Sequence, residues 1–213
     1  MFKELINTLP WPEKAGTRSA IGPFYGAGET WCVAELSRGD RPLVVITPNT
    51  STALTLEREL SVFIDKSIEI LSLPDWETLP YDNFSPHQDI VSERLHAFYH
   101  LPKMSDGILI VPITTLMHRT PPTHYVAGNS LILETGQALD TASFVRNLTL
   151  NGYHSVDTVY EHGEYAIRGS LLDIFPMGSK LPYRIDLFDA EVESLRTFDP
   201  ETQRTVDKVD AIR

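Results

Sequence analysis

A single cysteine, Cys32, stands among 213 residues. One thiol cannot close an internal disulfide, and it fits a reducing compartment. No run of 18 apolar residues occurs, so no membrane-spanning helix is expected. The opening Met1 to Ile6 is not followed by an apolar segment, which speaks against a secretory signal peptide. Cations are also in short supply: 18 Lys and Arg face 29 Asp and Glu, a formal net charge of −11. Both halves of the chain share that acidity. A main nucleic-acid grip needs a basic surface, so this chain is not expected to be one. Internal repeats and low-complexity tracts are missing too. These absences together read as a cytoplasmic protein with no part in the membrane.

The chain does have apolar residues, 42% of the total, enough for a real core. Its length suits one large domain or two small ones. The first part alternates strand and helix. Leu43–Thr47 reads as a strand buried on both faces. A helix follows, with Thr50 or Ser51 as N-cap and Leu54, Leu56, Leu60 and Val62 among its apolar positions. Ser67–Leu71 and Gly107–Val111 read as further strands, with an amphipathic helix over Val91–Leu101 between them. Such alternation predicts a parallel sheet with crossover helices. Thr120-Pro-Pro-Thr123 breaks the pattern. Beyond it come a helix capped by Asp140 or Thr141 and stopped by Asn151-Gly152, then short strands and turns, an α+β pattern. The expected division is 1–121 and 122–213.

Within the second part, Pro182–Asp189 alternates strictly. Side chains repeat every two residues along a strand, so Tyr183, Ile185 and Leu187 share one face, and Arg184, Asp186 and Phe188 the other. The first is a core face. The second pairs an arginine with a phenylalanine, the residue types that supply most interface hot-spot energy. The preceding run, Gly163–Phe175, adds Arg168. There Tyr165 and Ile167 fall out of register with Leu172 and Ile174, which suggests a bulge at Gly169. The plainer alternative has Phe188 half-buried and both arginines pairing with local acids.

Ile21–Ala34 resembles a phosphate loop whose chemistry is removed. A working loop is G-x-x-x-x-G-K-[ST]. Aligned on Gly28 and Thr30, with Gly26 inside the loop, the first glycine becomes Pro23 and the lysine becomes Glu29. Proline offers no N–H to a phosphate. A charge pair at ~4 Å and an effective dielectric of 20 is worth about 4 kcal/mol. Glu29 therefore turns an attraction for nucleotide into a repulsion of similar size.

Three runs carry a family resemblance: Leu73–Ile90, His162–Gly178 and Leu181–Asp189. On these the chain resembles the N-terminal region of the bacterial transcription-repair coupling factor (Mfd) family, over nearly its whole length. The resemblance implies a module shared with the excision-repair protein UvrB. Its fold is α/β: a degenerate helicase-like (RecA-like) parallel-sheet domain, 1–121, with an inserted α+β UvrA-interaction domain, 122–213. It implies that Arg168, Arg184 and Phe188 contact UvrA. It also implies that the chain is a fragment, and that RNA polymerase and DNA are bound through other domains of the longer protein. Two departures separate it from UvrB. The phosphate loop is broken at Pro23 and Glu29. Tyr81–Asp89 also runs straight into the following helix, leaving no room for UvrB's damage-probing hairpin.

Other constellations are weaker. Glu93, His96 and His100 share a helical stripe without completing a metal-ligand set. Trp76 and Tyr81 could stack on bases, but three nearby prolines, Pro74, Pro80 and Pro86, favour a packed, rigid loop. No serine–histidine–acid spacing stands out. The expectation is a protein-interaction module without enzymatic activity, cofactor or metal. A nucleotide-dependent enzyme, binding phosphate at Gly26–Thr30, is the alternative, and residue 29 discriminates between them.

Overall fold

The computed structural model describes residues 14–39, 41–79 and 81–212. The N-terminal run read against a signal peptide lies outside the described residues, as does Pro80. The fold is mixed α/β, in two units. One takes the chain up to Asp75 together with Lys103–His118, and the other takes Trp76–Pro102 together with Arg119 onward. No helix among the described residues is long and apolar enough to cross a membrane.

The first unit holds a three-stranded parallel sheet of β1 (Leu43–Thr47), β2 (Ile70–Ser72) and β3 (Ile108–Pro112). The spatial order is β1-β3-β2. Helices α1 (Gly28–Leu36) and α2 (Thr50–Phe63) supply its apolar cover. Ala34, Ala53, Leu56 and Leu60 meet Ile108 and Ile110 in one core cluster. β3 is central and buried throughout. β1 is an edge strand, and Val44 and Ile46 are half-exposed, so the expectation of burial on both faces is corrected. Leu54 and Val62 likewise face out of α2. Its N-cap is Asn49, whose side chain accepts from Thr52 N at 2.8 Å, one residue before Thr50 and two before Ser51. Asn and Ser cap about equally well, so a run Asn-Thr-Ser leaves the choice to the backbone. Gly107 enters β3 with φ +99, and a Cβ there would lie 2.6 Å from the Glu69 carbonyl oxygen. Only glycine lets β2 and β3 close at that point.

The second unit contains α3 (Gln88–His100), the short helix α5 (Thr123–Gly128), α6 (Thr141–Leu150) and an antiparallel pair of β4 (Leu133–Glu134) with β11 (Ala211–Ile212). A four-residue helix, α4 (Ile113–Leu116), belongs to the first unit. The main sheet of the second unit has six strands: β5 (His154–Ser155), β6 (Glu164–Arg168), β7 (Leu171–Ile174), β8 (Tyr183–Phe188), β9 (Glu191–Phe198) and β10 (Thr205–Val209), neighbours in that order. All its ladders are antiparallel except β5 with β6. One face packs on Leu133, Leu139, Leu148 and Ile212 through Tyr165, Leu172, Ile174, Ile185, Leu187 and Leu195. Helix α6 is capped by Asp140, which accepts from Ala142 N and Ser143 N, and stops at Asn151-Gly152. These hydrogen bonds, the Ser143 hydroxyl first, hold the Asp140 carboxyl below its ordinary range.

Gly169 does not mark a bulge. It is a turn residue, φ +64, in the two-residue connection between β6 and β7. Tyr165 pairs with Ile174 and Ile167 with Leu172, so the four share one face. A single strand over Gly163–Phe175 would split them between faces. A hairpin reverses the chain and brings them into register, because side-chain direction is set by pairing and not by sequence parity across a turn.

Candidate docking surface

The alternation along β8 places its side chains as expected. Ile185 is fully buried and Leu187 nearly so, whereas Phe188 is 69% exposed. Arg184 and Asp186 share the outer face with Phe188. Register then assembles the rest of that face. Ala166, Asp173, Arg184 and Arg196 stand opposite one another on β6, β7, β8 and β9, and Lys208 on β10 continues the row. Arg168 lies diagonal to Asp173, within reach of a long side chain.

Asp173 is the centre of this face, and its side chain is fully buried. Arg184 clamps it with both prongs: Nε donates to Oδ1 at 2.7 Å and NH2 to Oδ2 at 2.9 Å. Arg168 NH2 donates to the same Oδ2. The fork of a guanidinium matches a carboxylate, and charge-assisted bonds of this kind are stronger than neutral ones. The hydrogen bonds to Asp173 hold the Arg184 guanidinium above its ordinary pKa, against the opposing effect of burial. Its carbon also sits 4.7 Å from the centre of the Phe198 ring. Phe198 packs with Ala166, Phe175 and Val159 in a small second core on the outer face.

The three expected residues therefore differ. Phe188 stands free on the surface. The Arg168 side chain is 48% exposed while bonded to Asp173. Arg184 is only 17% exposed and engaged by Asp173 and Phe198. Both arginines do pair with a local acid, but Phe188 is not half-buried. Sequence reasoning missed Asp173, Arg196, Phe198 and Lys208. Asp173 lies in the apolar run Leu171–Phe175, and its alternation signals an outward position. Its arginines emerge only with the β6–β7 turn and the β8 register in place.

The loop resembling a phosphate site has a different geometry. Pro23 lies in irregular backbone, Gly26 in a turn with φ +58, and Gly28 opens α1 behind Ala27, which makes no side-chain cap. Glu29 is exposed in the first turn of that helix. There its carboxylate complements the positive end of the helix dipole, the place a phosphate would take. Thr30 is buried, and its hydroxyl donates to the Glu59 carboxylate. A working loop instead turns that hydroxyl to Mg²⁺. Burial, with the Glu29 charge second, raises the pKa of the Cys32 thiol in the same helix.

The remaining candidates are dispersed. Trp76 lies under the Arg94 guanidinium at 4.1 Å, while Tyr81 is fully exposed, so the two do not form one platform. His96 Nδ1 is 2.9 Å from the Gly178 carbonyl oxygen, and its ring lies 4.3 Å from that of His100. No group of three His, Cys, Asp or Glu side chains with metal-binding geometry occurs among the described residues.

Residues 131–213, which carry the whole outer-face row, match the family model of the UvrB interaction domain. The chain is homologous to the N-terminal region of the transcription-repair coupling factors. It is 50% identical over 202 residues to the transcription-repair-coupling factor of Escherichia coli (strain K12), covering 94% of this chain and 17% of that protein. The Haemophilus influenzae factor is 44% identical over 202 residues, 94% of this chain and 18% of the relative. The Myxococcus xanthus factor is 32% identical over 213 residues, 97% and 17%. The chain thus spans less than a fifth of the length of these coupling-factor relatives.

Proposed function

We propose that this chain is the UvrA-docking module of a transcription-repair coupling factor. Its outer sheet face presents Phe188 and Arg168 to UvrA, with Arg184 behind them, and so brings the excision machinery to a stalled RNA polymerase. The observation that carries this reading is an exposed Phe188 beside a two-arginine cluster, on the segment that matches the UvrB interaction domain. Aromatic and guanidinium groups of this kind anchor interfaces. The first part, 1–121, is read as a degenerate helicase-like (RecA-like) domain, and 122–213 as the inserted interaction domain. In this reading the chain itself is no enzyme: Glu29 stands where the phosphate-binding lysine would be, and the Thr30 hydroxyl is engaged by Glu59 instead of a magnesium ion. Contacts to RNA polymerase and DNA, and ATP-driven translocation, reside in the rest of the longer protein.

The test is calorimetric titration of UvrA with wild type, Phe188→Ala and Arg168→Ala, with thermal melts on the same samples. Each variant is expected to lose about 2 kcal/mol of binding, roughly thirtyfold in affinity, with the Phe188→Ala melt unchanged and that of Arg168→Ala lowered by no more than about 4 °C. Ile185→Ala is the packing control and should destabilise by roughly 2–5 kcal/mol. Unchanged affinity in both surface variants would place the docking surface elsewhere.

A further inference from the structure

We propose that the docking face extends beyond Arg168 and Phe188, through Arg196 to Lys208 at the edge of the sheet, and that it receives an acidic surface of UvrA. This extension rests on the UvrA reading above. The register puts Arg184, Arg196 and Lys208 directly opposite one another on three neighbouring strands. Like charges facing each other across strands destabilise a sheet. The row keeps three, in a chain whose net charge is −11. Its one carboxylate, Asp173, is buried and engaged by Arg184 and Arg168. Arg196 reaches Ser194 Oγ at 3.1 Å and Asp186 at 3.6 Å, and its side chain remains 41% exposed. Lys208 is exposed. The row is continuous with Phe188 and Arg168, which lie on the same outer face. Charge complementarity selects an acidic partner surface, contacted at its rim by Arg196 and Lys208.

Duplex DNA would also be drawn to cations. The row is one residue wide, bordered by Asp186, and set beside an exposed phenylalanine. That mixture favours a protein surface, because counterion release from DNA needs many phosphate contacts.

Rim charges act mainly on association rate and salt dependence. The experiment is stopped-flow or surface-resonance measurement of UvrA binding across a salt series, with Lys208→Glu, Arg196→Glu and the double variant. The double variant is expected to lower the association rate constant about tenfold at low salt, with a shallower salt dependence, little change in dissociation rate and an unaltered melt. Lys208→Glu, at the exposed edge, should give part of that loss even if Arg196→Glu perturbs the sheet. If both variants associate as fast as wild type while Phe188→Ala still weakens binding, the extension is wrong and the UvrA reading stands. If the wild type does not bind UvrA, that reading falls and the extension with it. Tight duplex-DNA binding that the same substitutions remove would overturn the choice of a protein partner.

Discussion

Replacing Arg184 tests what that residue does when no partner is bound. Its guanidinium supplies two of the three hydrogen bonds to Asp173, a fully buried carboxylate. Arg184→Ala leaves that charge with Arg168 alone, whose side chain is half in water. Removing one partner of a buried ion pair costs about 3–5 kcal/mol, since the other is left uncompensated. The bond from Arg168 survives, which puts the expected loss near the lower end, about 3 kcal/mol. For a chain of this size that is a drop in melting temperature of roughly 6–12 °C. Arg184→Glu should be worse, because it sets a second carboxylate against the first. Arg168→Ala, at an exposed position, should cost no more than about 1 kcal/mol. The assay is denaturant unfolding of each variant, with Asp173→Asn added to complete a double-mutant cycle. The Arg184–Asp173 coupling should exceed roughly 1 kcal/mol, as expected for residues in one charge network. An Arg184→Ala variant as stable as wild type, or a cycle that is simply additive, would refute the account. The result also governs how binding data are read. Lost UvrA binding in Arg184→Glu does not identify a contact unless the fold is shown to survive.

Three further outcomes are expected. A fluorescent ATP analogue with Mg²⁺ should show no saturable binding to the isolated chain, and Glu29→Lys alone should not create it. Micromolar binding lost on mutating Thr30 would revive the nucleotide-dependent alternative. Asp140 titrates below its ordinary range in the folded state, so its contribution is present above that range and fades as pH falls through the folded value. The stability gap between wild type and Asp140→Ala should therefore close on acidification below about pH 4, and a gap independent of pH would contradict the cap. Cys32 is buried with a raised thiol pKa, so a thiol-specific disulfide reagent at pH 8 should label it slowly until denaturant is added. Immediate native labelling would show α1 open.

The sequence by itself settled much of what depends on local rules. Alternation along β8 assigned Ile185 and Leu187 to the core and exposed Phe188, since a strand's side chains have no choice but to alternate. Asp140 and Asn151-Gly152 bounded α6 because caps answer to orphan backbone groups within one turn. The departures of Pro23 and Glu29 from a phosphate loop were legible at once. Pairing was not. The order β1-β3-β2 turned an expected two-faced strand into an edge with Val44 and Ile46 half-open. The turn at Gly169 reset the register of β7, and only then did Asp173 meet Arg168 and Arg184. Arg196 and Lys208 joined that face by the same means, from strands that sequence reasoning did not align. A residue's neighbours along the chain decide which way it points. Which side chains it meets depends on strand order and register, and those come from burying the whole apolar set at once.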